Sequence, residues 1–301
     1  MQRKLIIGTR GSPLALYQAN LVKGLLDHDS VIKIFKTSGD RISGDLKEFG
    51  GKGLFTKELE AALINRDIDL AVHSMKDVPT SSQEGLSIEA VLKREDPRDA
   101  FISNKVSKLI DLPYKAIVGT ASIRRRAQLS AMRPDIKFTL LRGNVGTRIN
   151  KLKNGDCDAT LLAVAGLNRL GEQGLITETI ESDIMLSAPA QGAIGIEIRK
   201  LDTQTKKIIA SLNHYETEIS IAAERSFLRA LDGSCKTPIA ALANYKDKIL
   251  NFRGEVISKD GTLVFSREVK QKILGIDEAI SLGYKLGIDV REEIGKKILW
   301  D

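Results

Sequence analysis

The chain has 301 residues, 42% hydrophobic and 28% charged, which gives it enough length for more than one core and excludes a disordered or fibrous chain. Lysine and arginine number 46 against 39 acidic residues, and the net charge of +7 points to an anionic partner. Two cysteines, Cys157 and Cys235, and three scattered histidines, His28, His73 and His214, leave no disulfide framework and no metal-ligand spacing, and no apolar run reaches membrane-spanning length.

Residues 4–8 predict a short buried strand, with Thr9, Arg10 and Gly11 as a turn. Ser12 stands as N-cap and Pro13 at the first helical position, where its fixed φ and missing N–H cost nothing. A helix to about Asp27 follows, with Leu14, Leu21 and Leu25 on its apolar side. Residues 37–53 carry Gly39, Gly44, Gly50, Gly51 and Gly53 among charges and predict a loop, a candidate lid. Phe55, Leu59 and Leu63 mark a second helix, and Ile68, Leu70 and Val72 a strand that ends at His73, Ser74, Met75, Lys76 and Asp77.

Residues 116–118 predict another strand, broken at Gly119 and Thr120, after which Ser122 caps a helix opening with Ile123, Arg124, Arg125 and Arg126. The pattern repeats with a strand at 138–141, a glycine-bearing turn at 142–146, and a helix at 147–153 stopped by Asn154 and Gly155. Strands alternating with helices predict a parallel α/β architecture, whose binding crevice lies at the carboxyl ends of the strands. After about His214 the rhythm changes to a helix at 216–231, a turn at Asp232, Gly233 and Ser234, and short strands near 249–257 and 263–269, a small separate α+β domain.

Arg10, Arg124, Arg125, Arg142, Arg148 and Arg169 all fall at predicted strand-to-helix junctions. A single arginine there more often makes a surface ion pair, worth about 0–1 kcal/mol. Together, with helix N-termini adding N–H groups, they predict a concave site for a ligand bearing several anionic groups. A nucleic-acid patch is the rival reading, but only 5% of residues are aromatic and none interleave with the basic turns to stack bases. Asp77 is a candidate acid, base or stabiliser of developing positive charge, or else an ion-pair partner of Lys76 or a turn cap. His73 reads as a satisfied strand-end histidine. Cys235, in a tight loop beside Lys236, is the reactive candidate, while Cys157 between Asp156 and Asp158 is expected to be inert.

The motifs resemble those of the hydroxymethylbilane synthase, or porphobilinogen deaminase, family. They run in order through residues 8–16 (GTRGSPLAL), 50–55 (GGKGLF), 71–79 (AVHSMKDVP), 94–101 (REDPRDAF), 118–129 (VGTASIRRRAQL), 141–148 (LRGNVGTR), 163–170 (AVAGLNRL) and 190–195 (AQGAIG), then Glu224, Arg225, Leu231, Gly233, Ser234, Cys235, Thr237 and Pro238. Glu48 departs from the lysine that some members carry at this lid position, and resemblance beyond Pro238 is weak.

The resemblance implies two α/β domains similar to type II periplasmic binding proteins, residues 1–95 with 190–212 and residues 96–189, plus a small α+β domain at 213–301. It implies a dipyrromethane cofactor held by a thioether on Cys235, on which four porphobilinogens are joined with loss of ammonia. Ser74, Lys76, Asp77, Thr120, Ser122, Arg124, Arg125, Arg142 and Arg148 would hold the cofactor. Arg10, Ser12, Gln18, Lys52, Phe55, Arg148 and Arg169 would meet the substrate. Asp77 aligns with the catalytic aspartate, where it would stabilise the azafulvene cation left by departing ammonia. No metal, nucleic acid or membrane partner is expected, and the protein is expected to be a cytoplasmic monomer. A non-catalytic, periplasmic-binding-like sensor of small polycarboxylates is the alternative, though such a module has no use for Cys235.

Overall fold

The computed structural model describes residues 3–41, 53–232, 237–295 and 297. Strand β1 (Leu5–Arg10) leads into helix α1 (Pro13–Leu25), which Ser12 caps by accepting a hydrogen bond from the Ala15 amide at 3.3 Å. β1 continues through Thr9 and Arg10, where a turn was expected, because Arg10 is in register with Phe35 at the end of the parallel strand β2 (Ser30–Phe35). The short helix α2 (Ser38–Arg41) occupies the start of the expected loop, and α3 (Lys57–Ile64), β3 (Leu70–Ser74) and β4 (Leu86–Val91) follow.

The chain then builds β5 (Asp99–Ser103), β6 (Ile117–Gly119), α4 (Ile123–Met132), β7 (Lys137–Thr139), α5 (Val145–Lys153), β8 (Ala159–Ala163), α6 (Val164–Arg169) and β9 (Glu178–Ile180). It returns through β10 (Ile194–Arg199) and α7 (Thr203–Ile209), and ends with α8 (Tyr215–Ala230), β11 (Ile239–Lys246), β12 (Ile249–Ile257), β13 (Val264–Lys272) and α9 (Ile276–Ile294). Two compact units result: residues 1–94 with 193–218, and residues 95–192 with 219–301.

The sheet of the first unit has the order β2-β1-β3-β10-β4. β1, β2 and β3 are parallel, as the alternation of strands and helices predicts, while β10 is antiparallel to both β3 and β4 and makes the sheet mixed. β10 enters without a crossover helix from either neighbour, which frees it from the parallel orientation that a βαβ unit imposes. Alternate residues serve opposite faces. Leu5, Ile7, Leu70 and Val72 pack with Ala19 and Val22 of α1, while Ile6 and Ala71 pack with Leu59 and Leu63 of α3. Full burial of Leu59 and Leu63 stabilises the unit by about 2 kcal/mol each.

The buried side of α1 is Ala15, Gln18, Ala19 and Val22, whereas Leu25 is 51% exposed, against expectation. Small residues let α1 lie close on β1, where the Thr9 hydroxyl donates to the Ala15 carbonyl at 3.1 Å.

The second unit contains a five-stranded sheet, β7-β6-β8-β5-β9, with β5 antiparallel to β8 and β9, and a separate antiparallel sheet, β11-β12-β13. Phe101, Val118 and Leu161 face Leu129 of α4, and Ala100, Ile102 and Leu162 face α5 and α6 through Ile149, Leu152, Val164 and Leu167. The three-stranded sheet has its own core, in which Phe227 of α8 meets Phe252 edge-to-face at 5.4 Å, and α9 adds Leu286 and Val290.

Candidate active site

In the first unit, the carboxyl ends of β1 and β3 open into a pocket of about 60 Å³. β1 ends on Arg10, whose guanidinium carbon sits 4.3 Å from the centre of the Phe55 ring, a cation–π contact that fixes a long side chain against a rigid one. Gln18, buried on α1, donates to the Ser74 hydroxyl at 2.8 Å, and that hydroxyl lies 3.2 Å from Gln18 Oε1. Ser12 borders the same space from the helix cap.

β3 ends in a 3-10 turn, Met75–Asp77, that places the half-buried Asp77 carboxylate at the pocket wall. Two features hold the turn in place. The Met75 amide donates to the Ala193 carbonyl at 3.0 Å, and the Met75 side chain fills the space that Gly195 of β10 leaves by having no Cβ. His73 also borders the pocket, and its Nε2 meets Glu197 Oε2 at 3.0 Å, both side chains being buried, so His73 is satisfied as expected. Lys76 shares the turn but is exposed and does not line the pocket.

In the second unit, Ser122 caps α4 by accepting from the Arg125 amide at 3.4 Å, while its own amide donates to the Thr120 hydroxyl at 3.1 Å. The first turn of α4 sends Arg124 and Arg125 inward onto the fully buried Asp99. Arg125 donates to Asp99 Oδ1 through Nε at 3.2 Å and Nη2 at 2.7 Å, and Arg124 Nη1 lies 2.7 Å from Oδ2. Burial alone would push the Asp99 carboxyl up, but the two guanidinium groups overcome it and hold that carboxyl far below the usual carboxylate range. Burial lowers the pKa of Arg124.

This cluster of two cations and one anion leaves a positive surplus. Arg124 Nε is buried with no hydrogen-bond acceptor, and so is Arg142 Nη1. Arg148, on α5, donates through Nε to the Gly143 carbonyl at 2.9 Å. Arg169 is the last residue of α6 rather than part of a strand-to-helix junction, and its Nη2 donates to the Gly192 carbonyl at 2.6 Å. Cys157 is buried, which with the neighbouring Asp156 and Asp158 pushes its thiol up, as inertness requires. Cys235, Lys52 and Glu48 lie outside the described residues.

Asp99, Gln191 and Glu224 fall within the family-like motifs but carried no expected role, and they join this cluster. Gln191 Nε2 donates to Asp99 Oδ1 at 2.9 Å, and Glu224 accepts from the Ala190 amide at 2.6 Å. Two arginines in tandem at a helix start signal a buried counter-charge, since neither can be desolvated alone, but nothing in the local pattern singles out Asp99. Among the described residues no group of three histidines, cysteines or carboxylates could hold a metal ion.

Two family descriptions match: "porphobilinogen deaminase, dipyromethane cofactor binding domain" over residues 5–207, and "porphobilinogen deaminase, C-terminal domain" over residues 219–294. Proteins named porphobilinogen deaminase are similar over nearly the whole length. The one from Paracoccus denitrificans is 46% identical, covering 97% of this chain and 94% of its own. That from Nitrobacter hamburgensis is 48% identical with the same coverage of 97% and 94%, and that from Chlorobium limicola 44% identical with 99% and 98%. Solved structures are distant. Protein PG110 from Staphylococcus aureus aligns at a TM-score of 0.46 and 14% identity, covering 94% of this chain and all of that one, a likeness that bears on neither fold nor function.

Proposed function

The chain belongs to the porphobilinogen deaminase family, and on that premise we propose how its residues divide the work. The reaction joins four porphobilinogens head to tail, each losing one ammonia, and one water then releases the chain as hydroxymethylbilane for tetrapyrrole biosynthesis. When bound, the dipyrromethane cofactor supplies a reactive pyrrole carbon and a tether for the product. The chain itself contributes binding, orientation and charge.

A primer and product made of pyrroles bearing acetate and propionate groups require buried N–H donors beyond those that internal acceptors use. The unmatched Arg142 Nη1 and Arg124 Nε supply them, and this is the observation that supports the assignment. Arg124, Arg125, Arg142 and Arg148, with Thr120, Ser122, Ser74, Lys76 and Asp77, hold cofactor carboxylates and pyrrole N–H groups, and Cys235 carries the thioether. Arg10, braced by Phe55, joins Ser12, Gln18, Lys52, Arg148 and Arg169 around the incoming porphobilinogen. Asp77 accepts from pyrrole N–H and stabilises the positive charge that spreads onto that nitrogen as ammonia departs. Charge of that kind gains most from a fixed carboxylate in a half-buried setting.

We divide the chain into three domains, residues 1–95 with 190–212, residues 96–189, and residues 213–301, a division that the separate sheets and cores support. We assign it a monomeric, cytoplasmic existence without nucleic acid. The low aromatic content of 5% supports the last point, and among the described residues no helix is long and apolar enough to cross a membrane.

Intact-protein mass tests the reading. Purified protein should exceed its polypeptide mass by one dipyrromethane and release ammonia from porphobilinogen, whereas Cys235→Ser should do neither. Bare polypeptide mass with no ammonia release from the unmodified chain would overturn the assignment.

A further inference from the structure

Residues 188–191 (APAQ) form a turn in which the Gln191 amide donates to the Ala188 carbonyl at 3.0 Å, with Pro189 second and Ala190 third. Ala190 has φ +59°, a left-handed conformation that the third position of such a turn normally gives to glycine. Alanine is strained there and needs an external hold. That hold is Glu224, fully buried on α8: Oε2 accepts from the Ala190 amide at 2.6 Å, and Oε1 accepts from the Ala243 amide of β11 at 2.7 Å.

The next residue reaches the arginine cluster. Gln191 Nε2 donates to Asp99 Oδ1 at 2.9 Å and to the Pro97 carbonyl at 2.7 Å. Upstream, the Leu186 carbonyl accepts from Arg124 Nη1 at 2.8 Å and from Gln128 Nε2 at 2.9 Å. Downstream, the Gly192 carbonyl takes the Arg169 guanidinium. One short segment therefore touches Arg124, Asp99 and Arg169, and Glu224 clamps it at its strained residue.

We propose that Glu224 is a positioning residue: by holding Ala190 left-handed, it fixes Gln191 on Asp99 and so sets the aim of Arg124 and Arg125 toward ligand carboxylates. The proposal rests on the family reading of those arginines. In Glu224→Gln, one of the two amides meets an NH₂ group instead of an oxygen, Ala190 relaxes, and Gln191 leaves Asp99. Turnover per cofactor-loaded molecule should fall about 10- to 100-fold while KM for porphobilinogen stays within about twofold, and hydrogen exchange of the 186–192 peptide should quicken.

The discriminating variant is Ala190→Gly placed in the Glu224→Gln protein. Glycine occupies the left-handed region without strain, so the double variant should recover most of the lost turnover. If Glu224 merely ties α8 to β11 through Ala243, glycine at position 190 would restore nothing, and the proposal would be overturned. Should Glu224→Gln fail to fold, Gln191→Met, which keeps the clamp but removes the amide, must give the same loss of turnover at unchanged KM, and unchanged turnover would sink the idea. Ammonia release by the unmodified chain, measured alongside, tests the family reading separately.

Discussion

Met75 and Gly195 lie on neighbouring segments with no space between them: a Cβ built on Gly195 would stand 2.1 Å from Met75 Sδ. The absent methyl group is what lets Met75 pack under the turn that carries Asp77. Gly195→Ala should therefore destabilise the protein by about 1–3 kcal/mol through overpacking. It should also lower turnover, because the turn must move to make room. Pairing it with Met75→Ala should return part of the stability, which a urea denaturation cycle of the four proteins will measure.

Asp77→Ala should still carry the cofactor mass but turn over roughly 10²–10⁴-fold more slowly, the usual contribution of a placed acid–base group. Mass spectrometry and ammonia release, read on the same sample, check both halves. Near-normal turnover would remove Asp77 from its role.

The arginines separate into two kinds. Arg125 is paired with Asp99 as well as turned to the ligand, so Arg125→Met leaves that buried carboxylate with Arg124 alone and should cost about 3 kcal/mol in addition to lowering activity. Arg142 Nη1 has no internal acceptor, and Arg142→Met should leave stability within about 0.5 kcal/mol while lowering activity. Thermal midpoints set beside turnover will tell the two apart.

Asp99 also predicts an acid response. Its carboxyl titrates lower in the folded than in the unfolded chain, because Arg124 and Arg125 stabilise the anion against the cost of burial. Its contribution to stability is therefore complete above about pH 4, the unfolded value, and declines as the pH falls below it. Asp99→Asn should be less stable at neutral pH and should lose part of the slope of urea midpoint against pH between about 2 and 4. An identical slope in both proteins would exclude Asp99 as its source.

Burial raises the Cys157 thiol. Alkylation of the native protein at pH 8 should spare Cys157, and Cys157→Ser should keep cofactor and activity, in contrast to Cys235→Ser. Peptide mapping after labelling gives the answer.

Much of this was legible from residue order. The Ser12–Pro13 and Ser122 caps, the strand expected over 116–118 and found one residue later at 117–119, and the stop at Asn154 and Gly155 are local signals, written within a few residues of where they act. The pocket residues of the first unit were also readable, since Arg10, Ser74 and Asp77 sit at or just beyond strand ends. What escaped depends on distant partners. β10 reads as an apolar run whose antiparallel place between β3 and β4 no periodicity encodes. Leucines drew the expected face of α1, yet its contact with β1 demanded small side chains, so Ala15 and Ala19 lie inside and Leu25 outside. Asp99 acquires meaning only when Arg124 and Arg125 fold onto it.

The place of β10 has a consequence for biosynthesis. It lies between β3 and β4, yet residues 92–193 must leave the ribosome before it exists. At ordinary translation speeds that interval is on the order of 10 s, and throughout it the edges of β3 and β4 that β10 will cover stay unpaired. A nascent chain in that condition is open to edge-to-edge aggregation, so yield from rapid overexpression should improve when elongation is slowed or a holding chaperone is supplied.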